Sequence, residues 1–103
     1  MAEDAAWQDV LGRAAILPED MQGIFLMLAR AARDGLPCPG DPAIARAYGT
    51  RSLGRARRLL AYMEEQGLIV CQLDGAGRRI VTLVELAWAT APGLTDAEDR
   101  LPV

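Results

Sequence analysis

Apolar residues recur along the chain with two periods. Trp7, Val10, Leu11 and Ala14 stand at i, i+3, i+4 and i+7, with Gln8, Asp9 and Arg13 elsewhere on the wheel, which predicts a short amphipathic helix over residues 5–15. Pro18, Glu19 and Asp20 suit the first turn of a second helix, Pro18 at N1, and that helix runs to Asp34 and Gly35. Its Met21, Ile24, Phe25, Leu28, Ala31 and Ala32 form one wide apolar face, and Leu26 and Met27 add apolar surface outside it. A helix apolar on more than one side is expected between two layers, here the first helix and the rest of the core.

Residues 35–40, Gly-Leu-Pro-Cys-Pro-Gly, break the helical pattern. A short third helix follows, with Asp41 expected as N-cap, Pro42 at N1 and Gly49 just past its end. Thr50 opens a longer helix over residues 51–66, closed by Gly67. The period then changes to two. Residues 68–73 and 78–84 are rich in β-branched side chains and flank Asp74-Gly75-Ala76-Gly77, the pattern of a hairpin with a four-residue loop. The stretch 85–91 fits a strand through Val84, Leu86 and Trp88, and a helix through Leu83, Leu86, Ala87 and Thr90. Residues 92–103 read as an acidic, flexible tail.

Two helices joined by a tight Gly-containing turn, the second longer, form a helix-turn-helix pattern, and a hairpin directly after it occupies the position of a wing. The expected fold class is mainly α with a small β-hairpin, α+β: a winged helix-turn-helix over residues 18–91 with an extra N-terminal helix in residues 1–17.

The last predicted helix carries the chemistry. At 100° per residue, Arg51, Arg55, Arg58 and Tyr62 share an arc of about 60°, and Leu53, Ala56, Leu60 and Met63 lie on the opposite side as a core stripe. The Arg fork can donate two hydrogen bonds to guanine O6 and N7, so such a stripe suits the DNA major groove. The N-terminal half of the second helix meets base edges in a helix-turn-helix, which makes Thr50, Arg51, Ser52 and Arg55 the candidate readers of sequence. Arg58 and Tyr62, farther along, and Arg46 on the preceding helix are candidates for phosphate. Arg78 and Arg79 follow the hairpin loop, where a wing touches the backbone or minor groove. Gly54 interrupts the helix at a cost of about 1 kcal/mol relative to Ala. Close approach to a DNA backbone and tight helix–helix packing are the two reasons open for it. The plainer alternative for the stripe is a solvated helix face. Such a face usually interleaves acids four residues from its bases, and this one has none before Glu64 and Glu65.

Composition narrows the reading further. Of the 103 residues, eleven are basic and fourteen acidic, for a formal net charge of -3. All the basic residues are Arg; the chain has no His, Lys or Asn, and Ser52 is its one serine. That removes Ser-His and Cys-His nucleophile pairs, the Schiff-base lysine and the phosphate-loop lysine, so no catalytic residue and no enzymatic activity is expected. Two cysteines, Cys38 and Cys71, fall short of a four-ligand zinc site and are expected as small apolar residues; neither metal nor cofactor is expected. An acidic total argues at first against a nucleic-acid partner. The positions of the charges reverse this: residues 43–80 hold seven Arg against three acids, and the acidic excess belongs to the two ends. No apolar run approaches the ~20 residues of a membrane span, and the N-terminus lacks the basic start of a signal peptide. A cytoplasmic, nucleoid-associated location is the expectation.

The segments Gly35-Leu36-Pro37-Cys38-Pro39, Ile44-Ala45-Arg46-Ala47-Tyr48-Gly49 and the run from Arg58 to Ile69, Arg-Leu-Leu-Ala-Tyr-Met-Glu-Glu-Gln-Gly-Leu-Ile, resemble winged-helix DNA-binding domains of bacterial transcription regulators. The spacing over roughly residues 20–84 is most similar to the N-terminal domain of the LexA repressor family, and more loosely to MarR-type domains. The resemblance implies sequence-specific binding of double-stranded DNA, with residues 51–66 in the major groove and the wing, residues 74–79, beside it. Self-cleavage, the activity of that repressor family, is not implied, because the chain has no Lys for a Ser-Lys dyad and no peptidase segment; Met63 also stands where Leu is usual. The small interface of one module points to a homodimer, through the N-terminal helix or residues 86–91, or to help from RNA polymerase or another regulator. Both surfaces can equally complete the monomer core. The rival reading is a winged-helix adaptor for proteins of a transcription or replication complex.

Overall fold

A computed structural model of the chain describes residues 2–84, 86 and 88–93. Four helices precede one antiparallel hairpin: α1 (Ala2–Ala14), α2 (Glu19–Asp34), α3 (Asp41–Tyr48), α4 (Leu53–Glu65), β1 (Ile69–Leu73) and β2 (Arg79–Leu83). The protein is thus mainly helical with a two-stranded sheet, an α+β fold.

α2 lies at the centre, as its two-sided apolar pattern predicts: it packs on α1, α3 and β2, and Met21, Ile24, Phe25, Leu28, Ala31 and Ala32 are buried. From α1 the core receives Val10 and Ala14, with Trp7 partly buried against it, whereas Leu11 stays 39% exposed. Arg30 and Arg33 lie over the Trp7 ring, 5.9 and 4.8 Å from its centroid, so cationic α2 side chains cover what α1 leaves open. Leu86 and Trp88 also pack against the core. Both surfaces considered for a homodimer are therefore largely used within the monomer.

Glycines end three helices. Gly35 and Gly49 adopt left-handed φ of 67° and 88°, and Gly49 donates its N–H to Ala45 and Arg46. After α4, Gly67 (φ 75°) lets its own N–H and that of Leu68 close on Glu64 and Met63. Helix starts depart from the sequence expectation by one or two residues. Pro18 is the N-cap of α2 instead of N1. Gly40, not Asp41, caps α3, leaving Pro42 in the first turn and the Asp41 carboxylate free for partners far away in sequence. α4 begins at Leu53, two residues later than the expected 51–66 helix, because Ser52 takes the N-cap and accepts the Arg55 N–H at 3.1 Å.

The hairpin pairs Ile69 with Leu83 through Leu73 with Arg79. Its loop is held by Asp74: the N–H of Asp74 donates to Arg78, and the Asp74 carboxylate accepts the N–H groups of Ala76 and Arg78, each at 2.9 Å. The outer edge of β1 is covered at Cys71, whose N–H donates to the Glu64 carboxylate of α4. Of the ambiguous stretch 85–91, Leu86 lies in a turn and residues 88–90 run along β2. Trp88 accepts from Leu83, Thr90 donates to Val81 and receives its N–H on the hydroxyl, and Thr82 bridges Ala89. The same segment then meets the loop before α3: Ala91 donates to Leu36 and accepts from Cys38. Pro92 and Gly93, expected in the flexible tail, belong to the fold. Gly93 is buried and donates to Arg79, and a Cβ on it would stand 3.0 Å from the Cys38 carbonyl oxygen. The rest of the expected tail, residues 94–103, lies outside the described residues.

Candidate nucleic-acid interface

The site is built on α4 and the turn that feeds it. Ala56, Leu59, Leu60 and Met63 anchor the helix; Leu53, expected on that stripe, is 41% exposed because it is the first residue of the helix. The buried stripe is thus rotated toward Leu59. On the other side Arg55 and Arg58 are exposed, and Tyr62 is 36% exposed. Arg51 precedes the helix, so it leaves the helical stripe and sits exposed in the turn between α3 and α4, where α3 contributes the exposed Arg46.

The hydroxyls of this turn have internal roles. Thr50 Oγ1 accepts the Ser52 N–H at 3.1 Å, and Ser52 Oγ caps α4. Each hydroxyl still has its proton to donate outward.

The arginines separate by their partners. Arg57 and Arg79 both donate to Asp41, at 2.9 and 2.8 Å, which ties the start of α3 to α4 and β2. Arg13 pairs with Asp9, and Arg33 with Asp34. Arg46, Arg51, Arg55 and Arg58 have no carboxylate partner among the described residues. Of the two wing candidates, Arg79 is half-buried in its pair with Asp41, and Arg78 is half-buried beside the loop. The structure therefore brings Arg46, Arg51, Arg55, Arg58 and Tyr62 to α3, α4 and their turn, and engages Arg79 elsewhere.

Burial pulls the Asp41 carboxyl upward, but the hydrogen bonds and charges of Arg79 and Arg57 prevail and hold its pKa below the ordinary value. Both thiols are pushed the other way. Burial raises Cys38, and burial with the Glu64 charge raises Cys71 to about 11, so both stay protonated at neutral pH.

Gly54 lies on the exposed face one turn before Arg58. A Cβ there would meet only the Arg58 guanidinium at 3.6 Å and the Ser52 hydroxyl at 3.7 Å, ordinary contacts. No other helix approaches it, which removes helix–helix packing as its reason.

Sequence reasoning missed Tyr48 and Asp20. The Tyr48 hydroxyl donates to the Asp20 carboxylate at 3.0 Å, across 28 residues of sequence, and this hydrogen bond raises the phenol's pKa. The only local signal was an aromatic residue next to the helix-ending Gly49. No family model, curated protein or solved structure matches the chain.

Proposed function

We propose that the protein binds double-stranded DNA as a sequence-specific transcription regulator of the winged helix-turn-helix type, with α4 in the major groove and the hairpin as wing. The observation that carries this reading is the sorting of arginines: Arg46, Arg51, Arg55 and Arg58 lack carboxylate partners among the described residues, whereas Arg13, Arg33, Arg57 and Arg79 are paired. Guanidinium groups without a carboxylate, two on the exposed face of α4 and two on α3 and the turn beside it, suit phosphate and guanine. Arg51, Arg55, Ser52 and Thr50 sit where base edges are met, and Arg46, Arg58 and Tyr62 where the backbone passes. On the hairpin, Arg79 is committed to Asp41.

Fluorescence anisotropy with a labelled duplex at several salt concentrations tests the face. Arg55→Ala/Arg58→Ala is expected to weaken binding by about tenfold to a hundredfold and to reduce the salt slope by about two. Arg30→Ala, which removes a cation stacked on Trp7, should bind like the wild type. Equal affinity and slope in all three proteins would remove α4 from the interface.

Gly54→Ala separates stability from binding. The methyl relieves glycine's entropy without a clash, so the unfolding free energy should rise by up to about 1 kcal/mol. The same methyl stands beside the Arg58 guanidinium on the DNA-facing surface, and duplex affinity is expected to fall about tenfold. A more stable variant with unchanged affinity would show that no backbone approaches there.

A further inference from the structure

An open groove of about 360 Å³ runs beside the exposed face of α4, lined by Met21, Tyr48, Arg55, Arg58, Leu59 and Tyr62. Its size is at the lower end of small-molecule sites, about 300–1,000 Å³. Met21 and Leu59, each only 7% exposed, supply apolar floor, and the tyrosines supply two aromatic rings. Arg55 and Arg58 bring two guanidinium groups without a carboxylate among the described residues. Contact with DNA uses the arginines and the Tyr62 hydroxyl; the ring faces, and the edge of the core that Met21 and Leu59 present to the groove, take no part in it, because a phosphate has no surface that gains from burial against them.

The combination instead suits a ligand with one anionic group and a flat apolar body. A carboxylate takes a guanidinium fork through two parallel hydrogen bonds, and a ring between tyrosines and a Met-Leu floor gains both stacking and burial. Asp20, held by the Tyr48 hydroxyl, places a negative charge beside the Tyr48 wall and disfavours a second anionic group there. We propose that this groove binds a small organic monocarboxylate with a planar apolar body, and that the bound carboxylate occupies the arginines that α4 otherwise presents to DNA. The second half rests on the DNA-binding reading above; the first stands without it. The ligand and the duplex then exclude each other, and ligand at ten times its Kd raises the apparent Kd for the duplex about tenfold.

Naphthoate is a suitable probe, with naphthylmethanol as its neutral counterpart. In a titration followed by NMR of the full chain, naphthoate should give saturable shifts at the Arg55 and Arg58 side-chain N–H groups and the Met21 and Leu59 methyls, with a Kd on the order of 1 mM. The alcohol, and naphthoate with Arg55→Gln/Arg58→Gln, should bind about tenfold more weakly. Both arginines are exposed, so the double variant is expected to fold, and its amide spectrum checks this. Equal binding of acid and alcohol, unchanged binding by the double variant, or shifts centred instead on Trp7, Arg30 and Arg33 would overturn the site. At constant ionic strength naphthoate should release the labelled duplex. Binding of both without release would overturn the competition. If the wild type binds no duplex at all, the DNA reading and the competition fail together, while the titration still decides the groove.

Discussion

Asp41→Ala is expected to lower the unfolding free energy by about 2–3 kcal/mol. The Asp41 side chain is only 13% exposed and holds two guanidinium groups, Arg79 at 2.8 Å and Arg57 at 2.9 Å. Arg57 is 65% exposed and returns to water at little cost, but Arg79, 24% exposed, would be left half-buried with no counter-charge. Breaking a fully buried pair from one side costs about 3–5 kcal/mol, and the partial exposure of Arg79 lowers that figure. Arg79→Met should cost less, because Asp41 keeps Arg57 and the apolar stem is retained. Urea unfolding followed by circular dichroism measures both as shifts of the midpoint at constant slope. An Asp41→Ala midpoint equal to the wild type would mean that the bridge contributes nothing to stability.

The same carboxylate predicts a pH dependence. Its folded pKa lies below the ordinary value of 3.8, so its contribution is complete above about pH 4 and is lost as pH falls through the folded value. The stability gap between the wild type and Asp41→Asn should therefore be constant at neutral pH and shrink on acidification below about pH 4. A gap that persists unchanged in acid would assign the loss to packing instead of charge.

Phe25→Ala carries the largest expected cost, about 3–5 kcal/mol. Phe25 is fully buried on α2, the helix that packs on α1, α3 and β2, so its loss leaves a cavity that the surrounding elements can fill only by shifting away from their other contacts. Against the ~5–15 kcal/mol typical of a small domain, this is a substantial fraction. Leu73→Ala, an apolar deletion of similar chemistry at a residue 71% exposed, should change stability by no more than about 0.5 kcal/mol. Thermal unfolding of the pair provides the measurement, and equal losses would contradict the assigned core.

What could be read in the sequence was what local rules control. The apolar spacing of Met21, Ile24, Phe25 and Leu28, the helix-ending Gly35, Gly49 and Gly67, and the loop at Asp74 all act over a few residues, and their elements stand in the structure. The departures come from partners distant in sequence or from close local competition. Asp41 fits an N-cap by local rules, but Arg57 and Arg79, 16 and 38 residues away, take its carboxylate and Gly40 caps in its place. Thr50 and Ser52 are both capping residues; Ser52 wins, and the start of α4 moves past Arg51. Residues 88–93 lack a clear period because their hydrogen bonds are divided between β2 and residues 36–38. Of the candidate site, the exposed arginines of α4 were legible from the wheel, but the groove was not, since Met21 and Tyr48 reach it from other helices.

That divided segment has a consequence for the order in which the molecule can be completed. Contacts between α1 and α2 join neighbours in the chain and can form as soon as both helices exist. The clip of Ala91 onto Leu36 and Cys38 instead closes a loop of about 55 residues, with a correspondingly larger closure entropy. Until Ala91 and Gly93 have emerged from the ribosome, the far edge of β2 and the backbone of residues 36–38 stay open to any strand that passes. Residues 88–93 are therefore what converts a nascent helical cluster with an open β2 edge into one whose edge is covered.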